Sequence, residues 1–126
     1  MELAELNKRT GIIVDAAMKV HSVLGPGLLE SAYEACLAYE LRKRGLHVQT
    51  QVWMPVRYEE VRLKKGYRVD MLIDHEIVIE NKACSTLTLV DHAQTLSNLK
   101  LSKNRVALMI NYHVRYLKDG IHRFMN

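Results

Sequence analysis

Two short apolar runs, Tyr67–Ile73 and Ile77–Lys82, constrain the fold more than anything else in this chain, because each carries charge within it: Asp70 in the first, Glu80 and Lys82 at the end of the second. Both runs are apolar at odd and even positions alike, the mark of strands covered on both faces at the centre of a sheet. An ionised side chain in such a strand costs several kcal/mol unless it is paired or binds a metal. Residues two apart in a strand share a face, so Glu80 and Lys82 point the same way. A three-residue turn through Asp74-His75-Glu76 makes the numbers of opposed residues sum to 150 and sets Asp70 against Glu80. A two-residue turn would put the two carboxylates on opposite faces.

Adjacent carboxylates either share a proton or hold a divalent cation between them. Donors that are all oxygen favour Mg²⁺ or Mn²⁺ over zinc, and the six histidines have no zinc-ligand spacing. A lysine beside such an ion stabilises developing negative charge or positions a water for attack. These parts suit hydrolysis of a phosphodiester. The same charges also fit a buried ion-pair network without chemistry.

The remaining pattern supplies a frame around these strands. Ile13, Ala16, Ala17, Val20 and Leu24 recur at helical spacing and predict a helix from about Leu6 to Val23, stopped by Gly25-Pro26-Gly27. A second helix is expected from near Gly27 to Gly45, with Arg42, Lys43 and Arg44 complementing its C-terminal dipole. Val48–Tyr58 reads as a strand that Pro55 confines to an edge or interrupts. Lys64-Lys65-Gly66 reads as a turn. Thr88-Leu89-Val90-Asp91 is a helix-start box, with a third helix running to about Leu101. Val106–Asn111 is another buried strand, and Asp119-Gly120 signals a hairpin between Val114–Leu117 and Ile121–Met125. The element order is α-α-β-β-β-α-β-β, expected to form one domain over residues 1–126. Trp53, the sole tryptophan, reads as a packing anchor, with stacking on a nucleic-acid base as the sharper alternative. Cys36 and Cys84 form no CxxC pair and read as small buried side chains in a reducing compartment.

Composition sets the outer bounds. Apolar residues make up 48% and charged residues 25% of 126 positions, which excludes a disordered or collagen-like chain. No stretch approaches a membrane span, and the N-terminus lacks a secretion pattern, so a cytoplasmic protein is expected. The net charge of +4 permits a polyanionic partner without demanding one.

Asp70 followed by Glu80-Asn81-Lys82 resembles the signature of the PD-(D/E)XK nuclease superfamily, an Asp on one strand and Glu-x-Lys on the next. Gly27-Leu28-Leu29-Glu30-Ser31-Ala32-Tyr33 resembles the defining motif of the GxxExxY protein family, a prokaryotic branch of that superfamily. Val20-His21, Gln51, Ala93-Gln94 and Leu108-Met109-Ile110-Asn111 extend the resemblance from about Ile12 to Arg123. It implies an α/β, restriction-endonuclease-like fold: a central mixed β-sheet flanked by helices. It also implies a metal-dependent nuclease acting on DNA, single-stranded DNA included. Asp70 and Glu80 match the metal carboxylates for Mg²⁺ or Mn²⁺, Lys82 the catalytic lysine, Glu30 the early-helix glutamate that reaches toward the metal's water, and Gln94 a polar residue lining the site. Tyr33 matches the family tyrosine and reads as helix packing. Two features depart from the pattern. Asn98 stands where relatives carry a tyrosine four residues after Gln94. Asn81 replaces a residue that is often apolar, and its parity turns it away from the metal side.

Lys64, Lys65, Lys100, Lys103 and Arg105 are candidate phosphate contacts. A chain this short has no separate DNA-reading domain, so a homodimer, a partner protein or low specificity is expected. The competing reading is a non-catalytic nucleic-acid- or protein-binding module on the same fold.

Overall fold

A computed structural model describes residues 1–126. The elements run α1 (Leu3–Leu24), α2 (Glu30–Lys43), β1 (Val48–Tyr58), β2 (Val61–Ile73), β3 (Ile77–Lys82), α3 (Leu89–Ser102), β4 (Val106–Asn111), a 3₁₀ turn at Leu117–Asp119, and β5 (Ile121–Met125). One mixed sheet has the strand order β1-β2-β3-β4-β5, antiparallel except for the parallel pair β3 and β4. Parallel neighbours need a crossover connection, and α3 supplies it.

The apolar stripes explain how the layers stack. Leu6, Ile13, Ala17 and Val20 of α1 pack with Tyr33, Leu37 and Leu41 of α2 against Met71, Ile73, Ile77, Ile79, Leu108 and Ile110 of the sheet. Leu99 of α3 packs on the other face with Val69, Leu72, Val78 and Ala107. Every residue of β4, and β3 from Ile77 to Asn81, is buried, as their unbroken apolar runs require. No helix is long and apolar enough to cross a membrane.

The turn between β2 and β3 has three residues. Its pairs are Met71 with Ile79, Leu72 with Val78 and Ile73 with Ile77, and Asp74 and His75 both take positive φ, at 50° and 61°. Asp74 anchors the turn by accepting the His47 N–H at 2.8 Å and pairing with Arg9. The box at Thr88 also forms: the Asp91 N–H donates to the Thr88 hydroxyl, and the Thr88 N–H donates to the Asp91 carboxylate.

Elsewhere the local signals misled. Lys64-Lys65-Gly66 is not a turn but part of β2. The chain reverses instead at Glu59-Glu60, between the paired Tyr58 and Val61, with Glu59 at φ 51°. The register shifts between Met54 and Val56, where Pro55 breaks the ladder of an edge strand. Gly66 lies under that irregularity, and a Cβ there would come within 2.2 Å of the Val56 side chain. The expected strand Val114–Leu117 is absent. That segment loops into the 3₁₀ turn, and β5 pairs with β4 rather than with it. The second helix begins at Glu30 rather than near Gly27, whose φ of 105° is incompatible with a helix. Trp53 is 47% exposed and anchors no core. Cys36 and Cys84 are only half-buried.

Tyr33 acts as packing and as a clasp. Its buried ring stacks on Tyr112 with centroids 4.3 Å apart. The hydroxyl accepts the Leu28 N–H at 3.1 Å and donates to the Gly25 carbonyl, tying the Gly-Pro-Gly loop to α2. Tyr33→Phe keeps the stack and removes both hydrogen bonds. The expected loss is about 1–2 kcal/mol of unfolding free energy, read from the urea midpoint; an unchanged midpoint would refute the clasp.

Candidate functional site

The site forms where β2 and β3 part. Regular pairing ends at Met71–Ile79, one step short of Asp70 and Glu80. At that step β2 also loses its alternation: Met71 belongs to the core under α1 and α2, whereas Val69, two residues away, belongs to the core under α3. Residues two apart in a regular strand share a face, so the backbone rolls over at Asp70. Its neighbour β1 rolls with it, at Gln51, which has φ 52°. The Asp70 carboxylate consequently turns to the gap between strands and accepts the Asn81 N–H at 2.8 Å.

β3 keeps its alternation. Asn81 is buried toward α1 and α2, donating to the Met71 sulfur and accepting from the Tyr112 hydroxyl. Glu80 and Lys82 project to the α3 side. There they line a cleft of about 290 Å³ together with Tyr67, Arg68, Gln94, Thr95 and Asn98. Glu80 is only 8% exposed. Burial first, and the charge of Asp70 second, push its carboxyl up to about 8. The Asn98 side-chain amide opposes that shift by donating to Glu80 Oε1 at 3.2 Å. Lys82 Nζ stands 3.8 Å from Asp91 Oδ1 at the start of α3. The Asp91 carboxyl is held below its ordinary value by the Thr88 backbone N–H above all, with Lys82 contributing.

Gln94 is solvent-exposed and borders the cleft. Glu30 opens α2 at an exposed position and does not line the cleft; its charge is felt instead at the Cys84 thiol, which burial chiefly pushes up. One helical turn on, Glu34 is the α2 carboxylate beside Asp70. Burial raises its carboxyl above the ordinary value, and the charge of Asp70 adds to the rise. Gln51 opposes it by donating to both Glu34 oxygens, at 2.9 and 3.0 Å.

Sequence reasoning missed Glu34, Tyr67 and the contact of Asp91 with Lys82. Glu34 had one available signal: it follows Glu30 by four residues and therefore shares its face. Tyr67 brings a phenol into the cleft from β2, its hydroxyl donating to the Asn98 carbonyl at 3.2 Å. An aromatic hydroxyl thus lies beside Asn98 although residue 98 is not itself a tyrosine.

No group of three or more His, Cys, Asp and Glu side chains is arranged to hold a metal ion. Two carboxylates with water completing the shell are nonetheless an ordinary set for Mg²⁺, which keeps several of its waters. With Lys82 drawn to Asp91, a hard cation rather than a lysine would have to stabilise the ionised form of the Asp70 and Glu80 pair.

A mixed sheet with helices on both faces, whose central strands part at an Asp and a Glu-x-Lys, defines an α/β fold of the restriction-endonuclease-like kind. The model of the PD-(D/E)XK nuclease superfamily matches residues 7–124, and the chain belongs to that superfamily. No curated protein and no solved structure matches it.

Proposed function

We propose that this protein is a metal-dependent nuclease of the GxxExxY branch that hydrolyses DNA phosphodiester bonds in the cytoplasm, with residues 1–126 forming one domain. Asp70 and Glu80 would hold Mg²⁺ or Mn²⁺. Such an ion, when bound, polarises a phosphoryl oxygen and lowers the pKa of a bound water. The observation that carries the reading is a Glu80 buried at the strand gap beside Asp70, its proton affinity raised first by burial and then by the Asp70 charge. A divalent cation would take the place of that proton and favour the ionised pair.

The side chains of the chain divide the remaining work. Lys82, on the same strand face as Glu80, orients the attacking water or neutralises the phosphorane charge. Asp91 holds the Lys82 ammonium at the cleft wall. Asn98 fixes the Glu80 carboxylate. Gln94 borders the cleft where a sugar or phosphate would enter. Glu34 of α2 is coupled in charge to Asp70, and Glu30, one turn before it on the same helix face, would reach toward the metal's water. A second copy or a partner protein would supply whatever sequence reading the substrate requires.

Thermal melting tests the metal site directly. A cation bound only by the folded state adds RT ln(1 + [L]/Kd) to stability. At ten times Kd this is about 1.4 kcal/mol, or a rise of several degrees for a chain of this size. Mg²⁺ or Mn²⁺ is expected to raise the melting temperature of the wild type and to leave Asp70→Ala unmoved. An unshifted wild type at millimolar metal would count against the enzyme and favour a binding module on the same fold.

A further inference from the structure

β2 has thirteen residues and β3 only six, and the two pair only over Met71–Ile73 and Ile77–Ile79. The outer parts of β1 and β2 therefore run on as a two-stranded arm, about 30 Å from Val61 to Asp70 at the usual rise per residue. The arm carries Arg57, Arg62, Lys64, Lys65 and Arg68 against Glu59 and Glu60, with Asp70 at its root. Near its root stands Trp53, paired across the strands with Arg68 and 47% exposed. The Arg68 guanidinium lies 5.4 Å and the Lys65 ammonium 5.7 Å from the Trp53 ring centroid. Arg68 also lines the cleft that holds Glu80 and Lys82. One cation thus joins an exposed indole to the candidate site. Farther out, a concavity of about 540 Å³ opens between the arm and the end of α3, with Arg57, Arg62, Lys64 and Lys103 on its walls.

The cation–π contacts with Arg68 and Lys65 hold the half-exposed Trp53 ring in place. Such a ring, on a basic arm and joined through Arg68 to the cleft, also has the make-up of a platform for nucleic-acid bases, which stack on an aromatic face while cations track the phosphates. Only an unpaired base presents a free face to such a ring. Trp53 lies opposite Arg68, two residues from Asp70. By strand alternation both face away from Val52, Met54 and Tyr67, which pack on the α3-side core, and the Arg68 charge is felt at Glu34 of α2; a base stacked on Trp53 would approach the carboxylates through the gap where β2 and β3 part.

We propose that Trp53, with Arg68 and Lys65, is a base-stacking subsite for an unpaired nucleic-acid strand that passes along the arm to the gap between β2 and β3, where Arg68 borders the cleft. The inference rests on the nuclease reading of that cleft and adds to it the strandedness of the substrate and the residue that reads it.

Because Trp53 is the sole tryptophan, its fluorescence reports this subsite alone. The wild-type protein, in EDTA and low salt, is titrated with a short oligothymidylate and with a dA·dT duplex of equal length, following both Trp emission and anisotropy of a labelled strand. Single-stranded DNA is expected to quench the emission as it binds, and the duplex to bind without comparable quenching. Trp53→Ala should weaken single-strand binding roughly tenfold and leave duplex binding unchanged, and Trp53→Phe should recover most of the loss. Saturated single-strand binding with unaltered emission would overturn the proposal. So would equal weakening of both ligands by Trp53→Ala, or an emission that follows protein concentration without DNA, which would mark the face as a contact between copies. With Mg²⁺ added, quenching without cleavage would defeat the hydrolytic reading alone, and cleavage without quenching would defeat the stacking subsite alone.

Discussion

Replacing Lys82 with alanine is expected to lower the single-turnover rate of DNA cleavage by about 10²–10³-fold, the usual effect of removing one preorganised group that meets developing charge. The fold should tolerate the change. The Lys82 side chain is a quarter exposed, and its ion pair with Asp91 is long at 3.8 Å, a kind of contact that contributes about 1 kcal/mol or less. Binding of DNA in EDTA should weaken only slightly, because one phosphate contact among several is lost. A loss confined to the chemical step would separate Lys82 from the arm cations, whose removal acts on binding and its salt dependence. Lys82→Arg keeps the charge but not the compact ammonium that suits a water or a single oxygen, so partial activity is expected. Cleavage by Lys82→Ala at the wild-type rate would show that the activity resides elsewhere.

The legible parts of this fold were those decided by burial. β3 and β4 could be bounded to the residue because apolar side chains at both parities leave no alternative to a central strand. The three-residue turn followed from a single requirement, that charges in neighbouring strands meet. The rolled backbone at Asp70 had no local signature, because it arises from the mismatch between two cores on opposite faces. Turn chemistry failed at Lys64-Lys65-Gly66 for a related reason. Gly66 serves the close approach of Val56 across the bulge at Pro55, not a change of direction. Trp53 was misplaced because an aromatic in a strand is ordinarily buried, and nothing near it in sequence tells that its strand outruns the sheet. The charged members of the cleft were readable as residue types, Asp70, Glu80 and Lys82 foremost. Their supporting partners Glu34, Tyr67 and Asp91 come from three different elements and become neighbours only when the chain folds.

The buried Glu80 also makes stability depend on pH in a direction opposite to that of most paired carboxylates. Its carboxyl titrates near 4.5 when unperturbed and is pushed up to about 8 in the folded chain, first by burial and then by Asp70. Below the lower value both states hold the proton, and the contribution of Glu80 is fully present. Between the two values the folded protein retains a proton that the unfolded chain has released, so stability falls as pH rises, and it levels off above the upper value. The whole effect is on the order of a few kcal/mol. Glu80→Gln removes the titration while keeping the shape and an acceptor for Asn98. Metal-free wild type should therefore lose stability relative to Glu80→Gln across this window, with the two nearly equal near pH 5 and the variant clearly more stable near pH 9, as read from denaturation midpoints. Glu34 shifts in the same direction but is common to both proteins and cancels in the comparison. A divalent cation reverses the trend, since it needs the ionised carboxylate: its stabilisation of the wild type should grow as pH rises toward 8 and be lost in Glu80→Gln. Parallel pH profiles for the two proteins would mean that Glu80 ionises freely, and the raised proton affinity from which the metal site was inferred would not exist.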